Sequence, residues 1–172
     1  MLIRLAKLED ADVLAAIIAE VAHEGTIGPE PPVEIAARAE RFREAIQAEA
    51  PDATWVLEKN GRIVGYAHSR KTTNGVLVLE MAILPGGRGH GGGRALLQAV
   101  LEHARECAAH KVELEAWVDN ARAIALYTSS GFEVEGIRRN HYRRKDGTLR
   151  SAMIMAKHLR TSRLDWRSGT NV

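Results

Sequence analysis

The 172-residue chain is 45% apolar and 27% charged with a formal net charge of +2, which suits one soluble globular domain and excludes a disordered chain. No apolar stretch is long enough to cross a bilayer, and the N-terminus MLIRLAKLED lacks the layout of a signal peptide. The single cysteine, Cys107, excludes an internal disulfide, so the expectation is a cytoplasmic protein without membrane association.

Residues 2–6 (LIRLA) alternate as a short strand. Glu9, Asp10 and Asp12 then enrich the start of a helix with Val13, Leu14, Ile17, Ile18 and Val21 at helical spacing. GTIGPEPP (25–32) is a loop, and a second helix from about Val33 places Ile35, Ala39, Phe42 and Ile46 on one face. TWVLEKNGRIVGYAHSR (54–70) reads as two strands joined at an Asn60–Gly61 turn. VLVLEMAIL (76–84) carries one charge and predicts a strand covered on both faces.

A glycine loop follows, then a helix to about His110 with Leu96, Leu97, Val100, Leu101, Ala104, Cys107 and Ala108 on its core face. VELEAWV (112–118) predicts a strand. DNARAIALYTSSG (119–131) predicts a short helix capped by Asp119 or Asn120 and ended by Gly131. Residues 132–142 and 148–157 pair around a KDG turn. The expected class is α+β, one domain over 1–160 with a tail over 161–172, in the order β-α-α-β-β-β-α-β-α-β-β with a single β-α-β crossover.

Six of the fifteen glycines fall within residues 86–93. A helix N-terminus presents unpaired N–H groups and the positive end of the peptide dipoles, and a preceding loop without side chains lets phosphate oxygens reach them. Arg88, Gly89, His90, Gly91, Gly92, Gly93 and Arg94, between a strand and an amphipathic helix, therefore read as a pyrophosphate cradle; a flexible surface loop is the plain alternative. A P-loop is excluded because Arg94–Ala95 stand where Lys and Ser or Thr are required. Gly87, Gly89 and Gly92 satisfy the dinucleotide-binding G-x-G-x-x-G, with Glu113 or Glu115 near the acidic position. That fold normally opens with this unit and repeats it, whereas here some eighty residues precede the loop and only one further helix follows the unit.

These segments resemble the GNAT superfamily of acetyl-CoA-dependent N-acetyltransferases. The cofactor-loop pattern Arg/Gln-x-x-Gly-x-Gly/Ala is matched by Arg88, Gly91 and Gly93 after a strand ending Ala82-Ile83-Leu84-Pro85. NARAIALYTSSGFEVEG resembles the family's second segment through Asn120, Ala123, Tyr127, Gly131 and Phe132. The resemblance runs from residue 2 to about Leu159. It implies a central, mostly antiparallel sheet splayed at two parallel strands, here 76–84 and 112–118, with acetyl-CoA in the gap. It further implies that the Ala82 and Ile83 backbone pairs with the pantetheine arm, that the amides of 88–94 take the pyrophosphate, and that Asn120 and Ala123 steady the cofactor. Tyr127 matches the family's general acid at the leaving sulfur, against its alternative as a packed aromatic.

Amide formation also needs a proton removed from the attacking amine. Glu80, the one charge in 76–84, is the base candidate if flanking strand residues cover it and raise its pKa. The alternatives are a solvated or arginine-paired glutamate and a water relay. Glu24 and Glu30 in the first interhelix loop would attract a cationic amine, and Arg138 with its neighbours in the late hairpin would hold a carboxylate. Together these suit a small amine, an amino acid or a protein N-terminus. FEVEGIRRNHYRRKDGTLRSAMIM also resembles the subgroup of ribosomal-protein and small amino-acid acetyltransferases.

Residues 1–60 carry six Lys/Arg against twelve Asp/Glu, so the later part of the chain is the basic one. RRNHYRRKDG (138–147) is nevertheless expected to be a hairpin with solvated charges rather than a nucleic-acid site. The seven histidines show no metal-ligand spacing, so no metal is expected. Family resemblance implies a homodimer. The rival reading is a catalytically inactive CoA-binding sensor or scaffold.

Overall fold

The computed structural model describes residues 1–73 and 75–159, so the expected tail over 161–172 lies outside the described residues. Seven strands form one sheet in the order β1-β2-β3-β4-β5-β7-β6. The strands are β1 (Leu2–Leu5), β2 (Ala53–Lys59), β3 (Arg62–Thr73), β4 (Val76–Ile83), β5 (Lys111–Trp117), β6 (Glu133–Arg143) and β7 (Leu149–His158). The helices are α1 (Ala11–Ala22), α2 (Ile35–Gln47), α3 (Gly92–Glu106) and α4 (Ala121–Ser129). This is the α+β architecture and element order expected.

Local chemistry accounts for the boundaries. Asn60 (φ 53°) and Gly61 (φ 72°) both occupy the left-handed region, as a two-residue hairpin between β2 and β3 requires. The Asn120 side chain accepts a bond from the Ala123 amide and caps α4. Asp10 is nearly buried at the start of α1 because Arg4 on β1 grips its carboxylate at 2.7 and 3.0 Å while the Lys7 amide donates to it at 2.7 Å. The third helix ends at Glu106, not near His110. Ala108 turns left-handed (φ 55°), and the Ala109 amide reaches back to the Ala104 carbonyl at 2.8 Å. That cap exposes Ala108, leaves Cys107 half-buried and buries Ala109 in their stead.

Two apolar clusters sit on opposite faces of the sheet. On one face Leu96, Leu97, Val100, Leu101 and Ala104 of α3 pack with Leu77, Leu79, Val112, Leu114 and Met155. On the other, Leu14, Ile17, Ile18 and Val21 of α1 and Phe42 of α2 cover Val56, Tyr66 and Ala82. Val13 and Ile35, expected on core faces, are exposed. The second cluster stops at β4. Among the described residues no helix covers the same face of β5, β7 and β6, and β4 is covered on both faces only in part.

The one parallel pair among the described residues holds the key feature. Strands β4 and β5 pair only through Val76–Lys111, Leu77–Val112 and Val78–Glu113. Residues 79–83 and 114–117 then continue with their other neighbours, β3 and β7, but not with each other. The sheet forks, as the family resemblance implies.

Candidate active site

The fork opens into a cleft of about 1230 Å³. One end is bounded by the glycine loop. Gly89 (φ 78°) and Gly91 (φ 82°) occupy the left-handed region, and a Cβ on either would meet nothing within 4 Å. At Gly93 a Cβ would press on Leu126 at 3.1 Å and Ile83 at 3.4 Å, so bare backbone is needed where the helix meets the fork. The amides of Gly89, His90 and Gly91 have no partner among the described residues. Those opening α3 are unpaired by helix geometry. Such a set of N–H groups fits a diphosphate.

The structure revises several roles in this loop. The Arg88 amide donates to Pro85 O at 3.2 Å and is not free. Its guanidinium is also engaged, through Nε to Ile83 O at 2.7 Å and through both terminal nitrogens to Glu24 at 2.8 and 2.9 Å. His90 folds its ring back on Arg88 O at 2.7 Å. Gly92 is buried, and a Cβ there would collide with Leu57 at 2.5 Å, so this glycine serves helix packing. Arg94 is exposed at the cleft and bonds Ser129 at 3.2 Å. Ala82, Ile83, Asn120 and Ala123 all line the cleft. The Asn120 amide group is occupied in capping α4 and in donating to Thr26 O at 3.2 Å.

Tyr127 projects from α4 to the cleft, is buried against Phe132 at 5.8 Å between ring centroids, and bonds through its hydroxyl to none of the described residues. Desolvation pushes its pKa up to about 12. A phenol in that state keeps its proton across the working range of an enzyme, as an acid must.

Across the sheet lies the helix-free face. Val78 and Glu113 form the last rung before the fork, and two residues further along each strand stand Glu80 and Glu115. Side chains alternate between faces. These two carboxylates therefore flank the open fork on the side away from α3 and α4, and both line the cleft. Glu80 is exposed, the solvated alternative rather than the covered one, because β4 has lost its β5 partner there. Glu115 accepts from the Tyr142 hydroxyl and pairs with Arg138 at 3.2 Å. Burial and the Glu115 charge raise the Tyr142 pKa, so that hydroxyl remains a donor.

The charged residues expected to meet an acceptor are tied to one another. Glu24 is held by Arg88, Glu30 by the Lys145 amide at 3.0 Å and Arg144 at 3.5 Å, and Arg138 by Glu115. Glu30 and Arg138 line the cleft in these pairs, as do Glu113, Glu115 and Glu135, with Lys111 shared between Glu113 at 3.0 Å and Glu135 at 2.8 Å. The signal for Glu113 and Glu115 was the alternation KVELEAW, which puts Lys111, Glu113 and Glu115 on one face. Amides with Arg94 and Arg122 bound one end of the cleft, and the other carries carboxylates interleaved with Arg138, Arg143 and Arg144. Among the described residues no three potential metal ligands converge, and no helix is long and apolar enough to cross a membrane.

Comparison with known proteins agrees with this geometry. A family described as "Acetyltransferase (GNAT) family" matches residues 18–132. The [ribosomal protein bS18]-alanine N-acetyltransferase of Escherichia coli K12 is 35% identical over 100 residues, which are 58% of this chain and 67% of that one. The crystal structure of a ribosomal-protein-alanine N-acetyltransferase from Brucella melitensis superposes with a TM-score of 0.82 at 29% identity, covering 92% of this chain and 100% of that one. A phosphinothricin acetyltransferase from Sinorhizobium meliloti, solved in complex with acetyl-CoA, shares the fold with a TM-score of 0.80 at 22% identity, covering 92% and 88% of the two chains.

Proposed function

This chain belongs to the GNAT acetyltransferase family, and from that premise we propose that its acetyl acceptor is a small primary amine or a protein N-terminus that reaches the fork from the helix-free face. The protein is an acetyl-CoA-dependent N-acetyltransferase. The observation that carries the acceptor's direction is the fork itself, with Tyr127 on one side of it and Glu80 and Glu115 on the other.

Acetyl-CoA supplies the thioester carbonyl that the amine attacks. The amides of Gly89–Gly93 hold the diphosphate, and the β4 backbone beyond Val78, lacking its β5 partner, offers ladder positions to the pantetheine arm. Tyr127 donates its proton to the departing sulfur. A fork carboxylate, directly or through one water, takes the proton that the amine must lose. The named activity of the Escherichia coli and Brucella relatives supports a protein N-terminus as one acceptor class. A single cysteine suits a reducing cytoplasm, and a homodimer is the assembly common among such enzymes.

Thermal stabilisation by acetyl-CoA, followed by CoA release measured with a panel of amines and N-terminal peptides, tests the reading. Turnover on one of them is expected. Stabilisation without turnover on any acceptor would favour the inactive CoA-binding module. Steeply salt-dependent nucleic-acid binding would favour a different use of the basic C-terminal half.

A further inference from the structure

The loop between α1 and α2 lies over the carboxylate side of the fork, with Thr26, Ile27 and Gly28 lining the cleft. It is held through its own carbonyls. Gly25 O accepts from Arg150, Thr26 O from Asn120 at 3.2 Å, Ile27 O from Trp117 Nε1 at 3.1 Å, and Gly28 O from Arg144 at 2.8 Å. Pro31 O accepts from Lys145 at 2.9 Å. Every donor comes from the β5–α4 corner or the β6–β7 hairpin. Backbone carbonyls are common to all residues, so this grip sets the loop's path without constraining most of its side chains.

Arg150 at the start of β7 joins these contacts into one unit. Its guanidinium donates to Gly25 O, clasps Asp119 at 2.5 and 2.7 Å, and stacks over the Trp117 ring at 4.6 Å. Trp117 in turn carries Ile27, and Tyr142, the donor to Glu115, packs edge-on against the same indole at 5.2 Å. The planar fork of arginine can serve a carbonyl, a carboxylate and an aromatic face together, which a lysine cannot. Arg150 itself does not line the cleft.

We propose that Arg150 is a positioning residue for the acceptor: through Trp117 and Gly25 it fixes the α1–α2 loop over the fork, and so sets acceptor fit without touching acetyl-CoA. The inference rests on the reading that the acceptor enters on the carboxylate side. The Arg150→Met variant keeps an aliphatic stack on Trp117 and removes the donors, whereas Arg150→Lys keeps the charge and a single donor nitrogen.

With a hexapeptide bearing a free N-terminal alanine as the probe, Arg150→Met is expected to raise the peptide KM about tenfold with kcat within about twofold, and Arg150→Lys to fall between it and wild type. The calorimetric Kd for acetyl-CoA should be unchanged in both. Proteinase K should cut the Met variant faster than wild type between residues 23 and 33. An unchanged peptide KM, a matching rise in the acetyl-CoA Kd, or a Lys variant no better than Met would overturn the proposal. If wild type does not acetylate the peptide, that acceptor class fails, and the cleavage rate then decides alone: no acceleration in the Met variant refutes the positioning role.

Discussion

Replacing Tyr127 by Phe separates its chemistry from its packing. The ring is buried beside Phe132, and the hydroxyl bonds to none of the described residues. Phe keeps the ring contacts and strands no partner, so stability should change by less than about 1 kcal/mol. Loss of a general acid costs about 10²- to 10⁴-fold in rate, equivalent to about 2.7–5.4 kcal/mol in the barrier. The fall should appear in kcat, with the acetyl-CoA Kd unchanged, since the proton moves only as the sulfur departs. Burial holds the wild-type phenol at about 12, so only about one part in a thousand is ionised at pH 9 and Tyr127 should cause no alkaline decline below about pH 10. The assay is stopped-flow or steady-state CoA release over pH 6–10, alongside thermal melts. A Phe variant with wild-type kcat, or one whose loss tracks a fallen melting point, refutes the acid role.

Three further perturbations bear on the site and the scaffold. Gly91→Ala places a side chain at φ 82° in open space, so it should cost about 1 kcal/mol of stability yet weaken acetyl-CoA at least about tenfold by calorimetry. Gly147→Ala, at φ 86° with equally open surroundings in the β6–β7 turn, is the control that should lose stability without weakening acetyl-CoA. The double variant Glu80→Gln/Glu115→Gln should lose about 10²-fold or more in kcat/KM, each single change costing less; wild-type turnover would leave the proton to a water path without these carboxylates. Asp10→Ala should cost about 2–3 kcal/mol in denaturant melts, because it leaves Arg4 without its buried partner. Arg4 holds the Asp10 pKa below its ordinary 3.8. Its stabilisation is therefore present above that value and lost as pH falls through the folded-state pKa, so Asp10→Asn should flatten acid unfolding.

What could be read in the sequence was local. The Asn60–Gly61 turn, the Asn120 cap and the amphipathic face of α3 each follow from a few neighbouring residues, and each stands where expected. Ala108 shows the limit: alanine favours helix, yet the contact of Ala109 with the core and its bond to Ala104 end the helix early. Roles that depend on a partner remote in sequence were harder to assign. Glu24 and Glu30 read as free charges because Arg88 and Arg144 lie some sixty and more than a hundred residues away. Covered and solvated placements of Glu80 both stayed open because an apolar run cannot disclose that its neighbouring strand departs after Val78. The same departure made Glu115 a wall of the cleft, although alternation alone had already set it on the same face as Glu113 and Lys111.

An incomplete sheet margin ordinarily faces outward, where it invites other molecules to add a strand. Here two such margins confront each other inside the protein, beneath a loop fastened from above. A thin, extended segment fits there as the missing rung. On the proposed seating of the pantetheine arm, product departure would reopen the seam between the two margins, so a tighter seating would slow each catalytic cycle at its exit.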